Sequence, residues 1–487
     1  MRFRSFIAAL LVASLAAPAL PQALPDLGDA SSAQLSESQE KTIGVRVMRD
    51  IHDDPSYVDD PEIQDYMNAL GARLLLASDT QQQKEVEAFV LRDDQVNAFA
   101  LPGGHIGVQS GLILLTENES ELAGVVGHEL GHILQHHQAR MMHDQRGMQF
   151  TSLAALALAL IASRAGNQGG QLSQAAVASA GALAASSQLS YSRDYEREAD
   201  RVGLNLLDRA GFAPRAMVTF FERMLRANNV GEFKSAPAYL QNHPLTTERI
   251  ADMEDRVINL PSRLVGDTSE YRITRAKLRA SLGQPSEAVA YFTSALEGRT
   301  VVRPREQVYG LALAQRRARD FTGAWKTLQG IRSGSSLPAY ELLAGEIKAD
   351  MGQVPEALSI YAAALRDHPD YRALLYANLD LLQQAGRTSE VLADVDKRLH
   401  AHPSDATLHA IQARAYGATG NQLAQHRSEA ESQFYRGNLA GAVTQLEIAV
   451  RTKGGDFYAL SSAEARLREM RTLLETQKAA EKALKIS

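Results

Sequence analysis

The C-terminal half of the chain repeats one pattern of turn residues at nearly constant spacing. The turn signals are centred on Gly283, Asp320, Gly352, Gly386 and Gly420, which are 37, 32, 34 and 34 residues apart. Apolar residues at helical spacing fill the segments between them, so each period is expected to hold two helices joined by a tight turn. Such a chain cannot close on a single compact core, because each helical pair buries its apolar face against the next pair.

A period near 34 residues is typical of tetratricopeptide repeats. Small residues follow three of the turns, where paired helices have to approach closely: Ala288, Ala324 and Ala357. The pattern weakens at both ends, and the turn at Gly437 comes only 17 residues after Gly420. The repeat count therefore stays open, and the last helices are expected to be irregular or to form a cap. We predict a tetratricopeptide solenoid over residues 267–487.

The N-terminus has the layout of a cleaved secretory signal. Two arginines precede an apolar run that ends near Leu20, and small residues follow up to Ala23. A membrane anchor would need about 20 uninterrupted apolar residues, whereas Pro18 and Pro21 interrupt this run. We predict a signal peptide over residues 1–23, which implies a secreted protein without a transmembrane span.

Charge and cysteine content exclude several classes of function. The 51 basic and 57 acidic residues are spread along the chain and give a net charge of -6, so no footprint for nucleic acid is visible. The chain contains no cysteine, which removes disulfides, thiolate ligands and the lipid anchor of lipoproteins. Any metal ion has to be held by histidines and carboxylates.

Residues 24–266 are expected to form an α+β domain, so that the whole protein is mainly α. Two helical patterns come first, and the second opens at Asp60-Pro61. From Thr116, with Glu119 completing a capping box, a strongly periodic helix follows. Three short strands are predicted before that helix, over Val86 to Leu91, Val96 to Ala100 and His105 to Val108.

The segment from Phe150 to Ser187 is rich in alanine, leucine, serine and glycine. Its apolar part is too short to cross a bilayer. Two interpretations stay open, a buried helical hairpin and a mobile lid over an active site. Contact with a membrane surface is a further possibility that hydropathy alone does not decide.

The periodic helix carries the motif His128-Glu129-Leu130-Gly131-His132. A spacing of four residues puts both imidazoles on one face of the helix, where they can bind a common metal ion. Glu129 lies beside the first ligand and is predicted to be the general base that takes a proton from an attacking water. His128 and His132 are the predicted first two ligands.

Two further histidines follow the motif directly. The extended metzincin pattern would need a glycine at position 135 and a histidine at position 138, and both positions are glutamine. His136 and His137 are therefore interpreted as surface or core histidines at a helix end, not as ligands.

A third ligand is expected from a separate helix, where Glu196 and Asp200 share one face. Glu196 can reach the metal, and Asp200, one turn further on, can accept the outward ring N–H of a ligand histidine. Glu198 points elsewhere. The alternative, a solvated charge cluster, is weakened by the motif upstream.

Together with Asn242-His243-Pro244 and Arg249, these motifs resemble the gluzincin family of HtpX and the CAAX prenyl proteases. The signal peptide and the C-terminal repeats resemble the periplasmic branch of that family. The resemblance implies a zincin-like fold and one zinc ion per chain, with His128, His132 and Glu196 as ligands and Asp200 behind them.

The resemblance also implies roles for two segments outside the zinc motifs. His243 matches a loop histidine that can take the fourth zinc position and hold the enzyme in a self-inhibited state. The segment Asn97-Ala98-Phe99-Ala100 matches an edge strand on which an extended substrate is laid. An ordinary core strand is the alternative for that segment.

Two functions are compatible with these features. The first is a periplasmic zinc endopeptidase. The resemblance implies that it degrades misassembled outer-membrane β-barrel proteins and assists their assembly, and association with the inner face of the outer membrane is left open. The second is a chaperone or scaffold whose repeats bind barrel precursors or the assembly machinery, with minor proteolysis. An intact zinc motif favours retained catalysis.

Overall fold

The structure is a computed structural model that describes residues 36–79, 85–144, 191–231, 233, 236–297, 304–333, 337–452 and 457–486. The predicted signal peptide and the whole segment 150–187, for which a helical hairpin and a lid were the alternatives, lie outside the described residues. Among the residues described, no helix is both long and apolar enough to cross a membrane.

The N-terminal part combines helices with a small sheet, as predicted. Its helices are α1 (Glu37–His52), α2 (Pro61–Leu76), α3 (Ser110–Leu115), α4 (Glu119–Leu134), α5 (His137–Asp144), α6 (Arg193–Arg209), α7 (Pro214–Asn229), α8 (Ala238–Asn242) and α9 (Thr247–Val257). Its strands are β1 (Glu87–Leu91), β2 (Ala98–Leu101) and β3 (His105–Gln109). Each strand lies within two residues of its predicted bounds.

The three strands form a sheet in the order β1-β3-β2. The outer strand β1 runs parallel to β3, and β2 runs antiparallel to β3. Gly107 of β3 lies between the rings of Phe89 and Phe99, and a Cβ atom there would come within 2.4 Å of the Phe99 ring. The strand order leaves β2 at an edge of the described sheet.

The predicted start of the central helix was wrong. The N-cap of α4 is Asn118, whose side chain accepts a hydrogen bond from the Glu121 amide. Thr116 instead ends α3, and its hydroxyl donates to the Ile113 carbonyl. The Glu119 carboxylate accepts from the Thr268 amide, 149 residues away, so a long-range contact replaces the local capping box.

The C-terminal part is built from consecutive helices that pack in antiparallel pairs. They are α10 (Ser269–Ser281), α11 (Pro285–Glu297), α12 (Pro304–Arg317), α13 (Phe321–Arg332), α14 (Pro338–Asp350), α15 (Val354–Asp367), α16 (Arg372–Gln384), α17 (Thr388–Ala401), α18 (Ala406–Ala418), α19 (Gln422–Tyr435), α20 (Leu439–Arg451) and α21 (Phe457–Ile486). The helical-repeat prediction is confirmed.

The predicted turn signals fall between the two helices of each pair. Gly283, Gly352, Gly386 and Gly420 all have positive φ, a conformation that glycine adopts without steric cost. Arg319 has φ 64° at the equivalent turn, one residue before the predicted centre. The final helix is 30 residues long, which agrees with the expectation of an irregular end.

Close packing between paired helices depends on small residues. Ala288, Ala324 and Ala357 are buried. The Tyr361 ring covers Gly345, leaving no room for a Cβ atom. Each pair thus buries an aromatic or aliphatic side chain against a small residue of its partner.

The repeats curve back onto the N-terminal part and are joined to it by buried charges. Lys277 of α10 forms ion pairs with Asp60 and Glu62 at the start of α2. Tyr371 also hydrogen-bonds the Glu62 carboxylate. Burial would lower the pKa of Lys277, but the two carboxylates raise it, so this lysine stays charged inside the contact.

We predict that Lys277→Met lowers the free energy of unfolding by about 3 kcal/mol, because it leaves two carboxylates without their cation in a poorly hydrated contact. Urea denaturation measures the change. The control is Lys478→Met, which removes an exposed pair with Glu475 and should change stability by about 0.5 kcal/mol or less. Equal stability of the two variants would contradict a stabilising role for the buried contact.

Candidate metal centre

The helix α4 carries the His-Glu-x-x-His motif through the interior of the N-terminal part. Every residue from Glu119 to His132 is buried. His128 and His132 are one turn apart and at most 1% exposed. Their imidazoles therefore have to be satisfied by protein groups or by a bound ion, since bulk water does not reach them.

The helix α6 packs against α4 at unusually short range. A Cβ atom on Gly131 would lie 3.0 Å from Ala199 Cα, and one on Gly203 would lie 3.1 Å from the His128 amide nitrogen. Side chains at these two glycines would separate the helices. The close approach brings the Glu196 carboxylate opposite both motif histidines.

Four side chains direct donor atoms at one point. His128 Nε2 lies 3.1 Å from His132 Nε2 and 3.3 Å from His243 Nδ1. The Glu196 carboxylate lies 3.4 Å from each of the two motif nitrogens and 3.0 Å from His243 Nδ1. All four residues are buried and form a potential metal-binding group.

This arrangement fits zinc. Zinc binds imidazole nitrogen and carboxylate oxygen at about 2.0–2.1 Å in a tetrahedron, which sets ligand atoms about 3.3 Å apart. The separations of 3.0–3.4 Å between donors agree with that value. A divalent cation would satisfy these buried ring nitrogens and the carboxylate together, where bulk water does not reach them.

A second layer of charges holds the ligands. Asp200 Oδ1 lies 3.0 Å from His128 Nδ1, the nitrogen that faces away from the cluster. Arg249 donates from Nε and Nη2 to the two oxygens of Asp200, both at 2.8 Å. Its Nη1 is 2.7 Å from Glu196 Oε2. One buried guanidinium thus orients both carboxylates of α6.

Glu129 points into the same buried space. Its Oε1 is 3.5 Å from His243 Nε2, and neither carboxylate oxygen has a hydrogen-bond partner among the described residues. A buried carboxylate in this condition is a ready proton acceptor.

Residues 61–257, which contain all of these side chains, match the model of peptidase family M48. This part of the chain is an M48 peptidase domain. The chain is 29% identical over 485 residues to the β-barrel assembly-enhancing protease of Escherichia coli (strain K12), covering 97% of this chain and 96% of that protein.

Two further relatives match shorter stretches. A putative β-barrel assembly-enhancing protease of Vibrio cholerae is 35% identical over 278 residues, 56% of each chain. The metalloprotease LoiP of Escherichia coli (strain K12) is 34% identical over 163 residues, 33% of this chain and 59% of that one. These relatives and the family model agree in placing an M48 metallopeptidase domain in the N-terminal part.

The carboxylates of the M48 site differ in their affinity for protons. Burial raises the pKa of Glu129, although His243 and His128 oppose the shift. Burial would also raise the pKa of Glu196, but His243 and Arg249 hold it well below its usual range. Glu196 is thus held in its ionised form, as a ligand requires, whereas Glu129 has the higher affinity for a proton.

His137, interpreted from the sequence as a helix-end histidine, contacts the M48 cluster without belonging to it. Its Nδ1 is 2.9 Å from His132 Nδ1, and its Nε2 is 3.2 Å from the Glu198 carboxylate. Arg140 holds Glu198 at 2.9 Å. Sequence spacing missed this contact because His136, with φ 52°, bends the chain between α4 and α5.

Two tyrosines enclose the cluster, and no spacing rule identified them. The Tyr191 ring stacks on His132 with centroids 3.9 Å apart. The Tyr239 ring stacks on His243 with centroids 4.7 Å apart. Both tyrosines are buried, so they restrict access to the ligands and fix the ring planes.

The predicted substrate segment lies beside this centre. Ala98, Phe99 and Ala100 belong to β2, and Asn97 immediately precedes the strand. The Gln109 amide donates to the Asn97 carbonyl. In an antiparallel pair, successive residues direct their backbone N–H and C=O groups alternately toward and away from the partner strand. The N–H and C=O of Phe99 therefore face β3, and those of Ala98 and Ala100 point to the open edge.

We predict that His128→Ala and Glu196→Ala retain roughly a tenth or less of the zinc bound by the wild type, because each variant removes one donor from a closed set. Metal analysis of the purified proteins measures the loss. Asp194→Ala, on the exposed side of the same helix, is the control and should keep its zinc. Full zinc content in Glu196→Ala would exclude Glu196 as a ligand.

Proposed function

We propose that this protein is a zinc-dependent endopeptidase in which Glu129 is the general base. The observation that carries the proposal is the convergence of donor atoms from four side chains within 4.8 Å of one another. Beside them lies a buried carboxylate that has no hydrogen-bond partner among the described residues. The domain limits proposed with it are a signal peptide over 1–23, a peptidase domain over 24–266 and a repeat domain over 267–487.

In this proposal His128, His132 and Glu196 hold one zinc ion per chain. A bound zinc ion supplies Lewis acidity that polarises the scissile carbonyl and makes water more acidic. Asp200 accepts the Nδ1–H of His128 and keeps that ring in the tautomer whose Nε2 is a ligand. His137 has the equivalent position behind His132.

Glu129 performs the proton transfers. Its carboxylate takes a proton from the attacking water and delivers it to the nitrogen of the leaving amine. The burial that raises its pKa brings its proton affinity closer to the value that both transfers need. Glu129→Gln keeps the shape of the side chain but cannot accept the proton.

His243 occupies the position that a substrate or water would need. Its Nδ1 lies among the donor atoms, and its Nε2 lies 3.5 Å from Glu129. Glu129 and all four donor residues are at most 1% exposed. We therefore propose that this conformation is a self-inhibited resting state, with His243 as fourth ligand, which opens when the segment around α8 moves.

The proposed clients are outer-membrane β-barrel proteins that are misassembled or stalled. Such proteins expose unpaired strand edges, and the open edge formed by Asn97 to Ala100 can pair with an extended chain. Relatives of this protein are named for β-barrel assembly. The proposed place of action is the periplasm, near the inner face of the outer membrane.

A second candidate function is that of a chaperone or scaffold, in which the repeats bind barrel precursors or the assembly machinery. The closed state of the peptidase centre favours it, because a closed centre leaves the repeat surfaces as the accessible part of the molecule. Neither function involves nucleic acid or a transmembrane span. The two functions are compatible in one chain.

We predict that Glu129→Gln lowers cleavage of an unfolded reporter protein by about 100-fold or more, since general-base catalysis contributes roughly 10²–10⁴-fold. His243→Ala should raise cleavage above the wild type, because it frees the fourth position. The measurement is the initial rate of proteolysis by zinc-loaded protein.

Retained zinc in both variants is the control for folding. Unchanged proteolysis in Glu129→Gln would contradict the assignment of Glu129 as the general base. Support of outer-membrane assembly by an inactive Glu129→Gln protein would favour the scaffold function instead.

A further inference from the structure

Helix α5 places a side chain on the open edge of the substrate strand. The bend at His136 directs α5 back over the sheet, and Gln138 Nε2 donates a hydrogen bond of 2.6 Å to the Ala100 carbonyl. The Gln138 side chain also faces the Tyr191 hydroxyl and lowers its pKa against the effect of burial; this hydroxyl belongs to the ring stacked on His132. The amide of Gln138 thus bridges β2 and one wall of the metal centre.

The bonded carbonyl is one of the groups that an added strand would need. Ala98 and Ala100 direct their backbone groups away from β3. The Val96 carbonyl, two residues before Ala98, is already taken by the Tyr239 amide at 3.1 Å. Gln138 occupies the Ala100 carbonyl at the other end, so the free stretch of edge is only about two residues long.

Unpartnered polar atoms lie along the same edge. Asn97 Oδ1, Tyr239 Oη and both oxygens of Glu129 are buried and have no hydrogen-bond partner among the described residues. Buried polar groups are rarely left in this condition without a ligand or water. A polar chain that paired with the short free edge could supply partners to these atoms.

We propose that Gln138 acts as a gate on the open edge of β2. Its side-chain N–H occupies the Ala100 carbonyl, to which the backbone N–H of a bound substrate would otherwise donate. An incoming strand has to displace it in order to pair with β2 over its full length. Gln138 thereby selects substrates that can donate a backbone N–H at this position, and a proline there cannot. This inference rests on the proposed function, in which an extended substrate pairs with β2. It describes a second barrier to the substrate, separate from His243.

The gate is tested by binding, separately from catalysis. The full-length zinc-loaded chain carries Glu129→Gln and His243→Ala, so that the probe is not cut and the fourth position is free. The probe is a fluorescein-labelled ten-residue peptide of alternating threonine and valine, and fluorescence anisotropy gives its Kd. Gln138→Ala and Gln138→Leu are compared in this background, with Gln135→Ala as the control from the same bend.

Both Gln138 variants should bind the peptide about two- to tenfold more tightly, the range that corresponds to the net value of one neutral hydrogen bond. Leucine keeps the bulk of glutamine but cannot donate a hydrogen bond. Tighter peptide binding by Gln138→Ala alone would show that side-chain bulk, and not the hydrogen bond, blocks the edge, and this result would overturn the proposal. Unchanged Kd values in both variants would overturn it as well, while peptide binding itself would still support the strand-adding site. Absence of peptide binding in every variant would overturn both ideas.

Discussion

The short contact between α4 and α6 is the constraint on which the peptidase centre depends. Gly131 and Gly203 lack side chains where the two helices touch, so helices that carry ligands from different parts of the chain can place them around one point. The two motif histidines lie one turn apart on one face of α4. Because α6 packs so closely against that face, its Glu196 carboxylate lies 3.4 Å from both imidazoles. At ordinary interhelical distances of about 8–10 Å, side chains from the two helices would lie further apart.

Charge neutralisation follows from that geometry. Two carboxylates of α6 are buried in the same small volume, which alone would be strongly unfavourable. Arg249 compensates them with three short contacts, and a divalent cation at the donor cluster would add the remaining positive charge. Arg249 is fully buried for this reason, and it comes from α9, so the C-terminal end of the peptidase part is required for the centre to form.

Local patterns were sufficient where the structure is governed by local geometry. The spacing of His128 and His132, the shared face of Glu196 and Asp200, and the glycines of the repeat turns each follow from helix periodicity or from positive φ. Contacts across space were not predictable in this way. His137 reaches His132 only because the chain bends at His136, and Tyr191 stacks on His132 from the segment that precedes α6. The Glu119 carboxylate binds Thr268 where a capping box was expected.

The repeats and the peptidase part are not independent bodies joined by a linker. Helix α10 is the first helix of the repeats, yet its Tyr271 and Leu278 belong to the same core as α2 and α4, and Lys277 joins it to the start of α2. The adjoining helix, α2, precedes the sheet whose edge strand lies beside Glu129. Contacts between the repeats and α2 therefore reach the elements that carry the peptidase centre, because α10, α2 and α4 share one core. The closures that we propose for His243 and Gln138 lie on short segments. The segment before His243 is anchored in the same core through Tyr239, so opening of the proposed resting state has to release that ring as well as the histidine.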